Sequence, residues 1–127
     1  QAMIEVLDPA TITAIDDAPA AVANATDLGT LTLRGELLDT KCYLGAMRPA
    51  VGKIHRACAA VCLKSGIPAA LRLVDGDGRE AIVLLAGPPG QRLPIDPQLA
   101  GTMIEVTGPA ERVGTFVVVR VASHRRL

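Results

Sequence analysis

Four residues of this chain form a donor set for a soft metal: Cys42, His55, Cys58 and Cys62, spaced Cys-x12-His-x2-Cys-x3-Cys. Three thiolates and one imidazole suit zinc or an iron–sulfur centre. Three of the four sit in "KIHRACAAVCLK", residues 53–64, where the good helix formers predict an α-helix. On that helix His55 and Cys58 are i and i+3, and Cys58 and Cys62 are i and i+4, so all three share a face. The helical rise separates Cys58 from Cys62 by about 6 Å, which one ion with Zn–S bonds of ~2.3 Å bridges. The same rise puts His55 about 10.5 Å from Cys62. A single ion therefore takes all four donors only if the helix frays at one end. A centre of several irons would relax that distance.

The same cysteines allow other chemistry. Cys42 paired with Cys58 or Cys62 would pin the helix to the rest of the domain and leave one buried thiol. A pairing of Cys58 with Cys62 is the least comfortable, because the Cβ vectors at i and i+4 run parallel. A thiol enzyme using Cys58 or Cys62 with His55 is a further reading, though no substrate pocket is visible in the sequence. Asp39, Lys41 and Arg56 flank the cysteines and are candidates to orient His55 or tune a thiolate; otherwise they are strand-end and helix-surface charges. Met47 is a soft thioether or, more simply, a packing side chain. Covalent haem is excluded by the absence of Cys-x-x-Cys-His, and blue copper by the single histidine in the cluster. "AGPPGQ" lacks the Gly-Lys-Ser/Thr of a phosphate loop. No residues are assigned to catalysis.

The elements that must hold these residues belong to a chain of 127 residues, enough for one domain or one domain and part of another. Half of the residues are apolar, but there is one Tyr, one Phe and no Trp, so Ala, Val, Leu and Ile must fill the core. The formal net charge is zero and the sequence pI about 6.9. That removes the basic footprint of a nucleic-acid binder, and the scarce aromatics remove a base-stacking platform. The basic run His124-Arg125-Arg126 reads as a solvated end. No apolar run approaches the ~20 residues of a membrane span, and no basic start leads into an apolar signal region. The chain opens at Gln1, which fits upstream processing or trimming. Three cysteines in an exported protein leave a thiol over after any disulfide, or point to metal.

The segment "AMIEVLDPA" (2–10) matches "TMIEVTGPA" (102–110) in Met, Ile, Glu, Val, Pro and Ala. Residues 1–10 therefore read as a strand, either the end of a preceding similar domain or an addition to this one. Residues 11–29 read as a linker rich in Ala, Asp, Thr and Pro, and 30–127 as the main domain. Within it, 30–39 is a strand with Gly35 as a bulge or kink. Residues 51–64 are the helix, stopped by Gly66 and followed by Pro68. Two strands flank a turn at Asp75-Gly76-Asp77-Gly78, 96–101 is a helical turn, and 102–107 and 115–122 are the last strands. The expected fold is mainly β, a small five-stranded OB-like barrel with one helical insert after the first strand. A small β-sandwich or SH3-like barrel comes second.

At "GELLDTKCYLGAMRP…GKIHRACAAVCLKSGIPAAL" the chain resembles a group of small bacterial proteins of unknown function. Their pattern is Gly-x-x-x-Asp-x-x-Cys, then His-x-x-Cys-Ala-x-x-Cys, then Gly-x-Pro and a β-rich end, here over roughly residues 35–122. The resemblance implies an OB-like barrel and a periplasmic or otherwise extracytoplasmic location, with any membrane attachment through a tether outside this chain. The function expected is a small exported metal-binding barrel. Its centre would be Cys42, His55, Cys58 and Cys62, holding iron–sulfur or zinc, with an electron-transfer or structural role as accessory subunit among other protein subunits. The alternatives are a metal-free interaction module stapled by a Cys42 disulfide and, third, a thiol-redox enzyme.

Overall fold

The computed structural model describes residues 25–45 and 47–127. The expected strand at 1–10 and most of the linker lie outside the described residues. The first strand, β1, runs Thr26–Asp39, so the last residues of the expected linker already belong to it. The other strands are β2 (Ala69–Val74), β3 (Glu80–Ala86), β4 (Met103–Val113), β5 (Phe116–Arg120) and β6 (Ser123–Arg126). Strands β1 to β5 close in the order β1-β2-β3-β5-β4-β1, with β3 and β5 parallel and every other pair antiparallel. This is the expected five-stranded barrel. Two helices, α1 (Thr40–Leu44) and α2 (Gly52–Lys64), fill the connection from β1 to β2, so the insert holds one short helix more than expected.

Alternation along β1 builds the core. Leu31, Leu33, Gly35 and Leu37 point inward between exposed Thr30, Thr32 and Arg34. Leu37, Leu71, Val83, Leu85, Ile104, Val106 and Val119 belong to one buried cluster inside the barrel, where aliphatic side chains replace the missing aromatics. Leu38 and its register partner Ala70 face the other way, yet they are buried too. The helical insert covers this part of the sheet's outer surface. Gly35 is not a bulge, since the pairing with β4 runs through it without a register shift. It sits where β1 begins to share itself between β4 and β2, and a Cβ there would lie 2.4 Å from the Arg72 carbonyl oxygen. The bulge falls earlier, between Asp27 and Thr30.

Two strand ends differ from expectation. β4 does not stop at Gly108-Pro109 but continues to Val113. Pro109 pairs with Thr30 at the edge of the β1 bulge, where the ladder is already interrupted, so its missing N–H costs little. The tail His124-Arg125-Arg126 is exposed, as expected, yet it forms β6 against β4, with Arg125 Nε donating to Glu105 at 2.7 Å.

A polar clasp ties the insert to the β2–β3 hairpin. Tyr43 Oη donates to Glu80 Oε2 at 2.7 Å, and Arg72 donates to Glu80 Oε1. The Arg72 hydrogen bond, then that of Tyr43, pulls the Glu80 carboxyl down to about 2. A depressed carboxylate contributes stability that is complete above its unfolded value, about 4.3, and is lost as pH falls toward 2. Glu80→Gln should therefore lower stability at neutral pH and flatten its fall between pH 4.3 and 2, measured as urea midpoint against pH. An unchanged slope across that window would remove Glu80 from the clasp.

Candidate metal centre

β1 runs into α1 without a loop. Asp39 ends the strand in extended conformation (φ −91°, ψ 140°) and caps the helix, its Oδ1 accepting from the Cys42 N–H at 2.8 Å. Asp-x-x-Cys is thus an N-cap spacing that fixes the Cys42 backbone. Thr40 braces the same corner, its N–H and Oγ1 both donating to the Pro68 carbonyl at 3.1 and 2.9 Å. This joins the start of α1 to the exit of α2.

Val51, the N-cap of α2, makes no side-chain capping hydrogen bond. A carboxylate from the barrel substitutes: Glu36 on β1 accepts from the Gly52 N–H, an anion at a helix N-terminus. At the other end Gly66 N–H donates to Leu63 O and Ile67 N–H to Cys62 O, both at 3.1 Å. These are the two bonds of a Schellman motif. Gly66 takes φ +91°, a conformation that suits glycine, as the predicted stop requires. The motif also fixes the carbonyl of Cys62, so each end of the cysteine-bearing segment is pinned.

The predicted donors then fall into two groups. In the first, the ligand atoms of Cys42, Cys58 and Cys62 all lie within 4.8 Å of one another. In the second, those of Asp39, Cys42 and His55 do the same. Cys42 belongs to both. His55 Nε2 faces Asp39 Oδ2 at 3.1 Å, and both side chains are buried. The helix-rise argument holds: His55 and Cys62 do not share a group. Asp39, read from sequence as a candidate to orient His55 or as a strand-end charge, belongs to the second group only, where one oxygen accepts from the Cys42 N–H and the other faces His55. Lys41 is exposed on α1. Arg56 turns to the 3₁₀ turn Pro97–Leu99 that precedes β4, its Nε donating to the Ala100 carbonyl at 3.2 Å. Met47 is 48% exposed rather than packed.

No disulfide is formed, and all three cysteines are free thiols. The Cys42 and Cys58 sulfurs are 3.9 Å apart, well beyond the ~2.05 Å of an S–S bond. Burial, and after it the hydrogen bond and charge of Asp39, push the Cys42 thiol up. Burial and then the Asp39 charge raise Cys62 as well. Such thiols stay protonated at neutral pH, the opposite of an activated nucleophile. A metal ion would displace their protons on binding. The cluster is geometrically able to hold one.

No protein-family model, no curated protein and no solved structure matches the chain. Fold and site therefore stand on geometry alone.

Proposed function

We infer that this domain binds one zinc ion through Cys42, Cys58 and Cys62, and that the ion's role is structural: it locks the helical insert onto the barrel. The 3.9 Å separation of the Cys42 and Cys58 sulfurs carries the reading. Two sulfurs on one tetrahedral ion with bonds of ~2.3 Å lie about 3.8 Å apart. An iron–sulfur cluster that spreads its thiolates over separate irons needs them further apart, so zinc is favoured, and electron transfer belongs only to the iron alternative. His55, held against Asp39, stands beside this centre as a supporting partner rather than a fourth donor.

A role as an accessory subunit draws support from the surface around the cysteines. Residues 40–64 carry Lys41, Arg48, Lys53, Arg56 and Lys64 and no Asp or Glu. On α2, Ile54 and Val61 are 81% and 63% exposed. A cation-rimmed apolar face suits a protein partner with acidic groups. The extracytoplasmic location is part of the same proposal and rests on the sequence resemblance.

Elemental analysis of protein purified without a metal-affinity column tests the centre. One equivalent of zinc in colourless protein is the expected result. Iron with visible charge-transfer absorption would replace zinc by the cluster, and metal-free protein with one titratable thiol would replace the centre by the disulfide. His55→Ala should keep the stoichiometry at one while weakening zinc about 10- to 100-fold, as when a supporting partner is removed. Competition with a chelator of known affinity measures that change. An affinity equal to wild type would make His55 a bystander.

A further inference from the structure

At the end of α2 that follows Cys62, the barrel opens into a cavity of about 380 Å³ facing the loop 87–94. Its apolar lining comes from Leu37, Leu63, Ile67, Leu85, Leu93 and Ile95. Leu37 and Leu85 belong to the barrel core, so the cavity reaches down to the core itself. It lies near the lower end of the ~300–1,000 Å³ of small-ligand sites.

One charged residue lines this cavity, Arg92. Arg72 and Arg125 each pair with a carboxylate. Arg92 is exposed and has no ion pair or side-chain hydrogen bond among the described residues. The loop around it is just as little committed. Among the described residues its one hydrogen bond is Gln91 N–H to Pro88 O at 2.9 Å. The main-chain N–H groups of Arg92 and Leu93 are thus left for water or a ligand. A greasy pocket with one unmatched cation and spare N–H donors on its rim has the polarity of a molecule with an alkyl body and an anionic head.

We propose that this cavity binds a medium-chain alkyl carboxylate, its chain among the leucines and its carboxylate on Arg92. A volume of about 380 Å³ accommodates a saturated chain of about eight to ten carbons. A peptide segment is a poorer occupant, because its main-chain groups would need partners that the apolar lining does not supply. None of the three cysteines lines the cavity, although Leu63 on its wall follows Cys62 in α2.

Isothermal titration of the full chain with sodium hexanoate, octanoate and decanoate, each below its micelle concentration, tests the assignment. Binding should be one to one and tighten about fourfold per added methylene, the increment of burying one CH₂. Arg92→Gln lies in an exposed loop and should fold normally. It should weaken decanoate about tenfold and leave 1-decanol, which lacks the charge, unchanged. Ala86→Phe, which puts a ring at the cavity wall, should abolish binding of both. No heat with decanoate in folded wild-type protein overturns the proposal. So does equal binding of acid and alcohol, or decanoate affinity that Arg92→Gln leaves unaltered.

Discussion

Cys42→Ser abolishes stoichiometric zinc binding in the full chain, with at least about a 100-fold loss of affinity, beyond the 10- to 100-fold of an outer partner. Cys42 is the one donor common to both ligand groups, so no set of three donors survives its removal. It is also the donor with the most fixed backbone, held by the Asp39 cap at 2.8 Å. Serine is nearly the same size, keeps the backbone N–H that donates to Asp39 Oδ1 and fits a site where Cys42 is 6% exposed. The fold is therefore retained, and the loss reads on the ion. Because a ligand that binds only the folded state raises stability, by about 4 kcal/mol at a thousand times its dissociation constant, the melting temperature gives a second readout. Zinc should raise it in wild type and leave Cys42→Ser where it was. A variant with the wild-type zinc content and thermal shift would dissolve the centre.

How much of this the sequence shows depends on the range of the interaction. The helix over 51–64 and its stop at Gly66 are local: good helix formers, then a residue free to take φ +91°. The hairpin at Asp75–Gly78 is local too, with Asp75 Oδ1 accepting from the Asp77 and Arg79 N–H groups at 2.9 Å. The barrel followed from the count and order of such strands. What stayed hidden was set across the chain. Pro109 looks like a strand end until the β1 bulge beside it is known. The N-terminus of α2 lacks a cap in its own sequence because Glu36, sixteen residues earlier, supplies one. Within the site, the i, i+4 spacing brings Cys58 and Cys62 together, and the helical rise that separates His55 from Cys62 matches their falling in different groups. Asp39 is read as a candidate to orient His55, and it does face that ring; its capping role is not read, although Asp three residues before Cys42 is a capping signal. It was obscured because no helix was expected over a five-residue stretch, too short to show a period.

Asp39→Ala should lower the stability of the metal-free domain by about 2–4 kcal/mol, the largest loss expected from any single polar side chain here. Two effects combine. Removing the cap of α1 costs about 1 kcal/mol, within a range of 0.5–2. Leaving the His55 ring without its partner, at 5% exposure, costs a further 1–3 kcal/mol for an unsatisfied buried group. Against a total stability of roughly 5–15 kcal/mol this is a substantial share. Asp39→Asn separates the causes. Its amide oxygen still caps Cys42, and its NH₂ group can still meet His55, so most of the stability should return. Urea unfolding with reductant and chelator present measures both variants without interference from an ion. A loss below about 0.5 kcal/mol for Asp39→Ala, the size of an ordinary surface change, would mean that the corner joining β1 to α1 is held by Thr40 and Pro68 alone. The alanine variant should also bind zinc more weakly than the asparagine variant. The cap that stabilises α1 is the same bond that aims Cys42, so folding and metal binding depend here on one carboxylate.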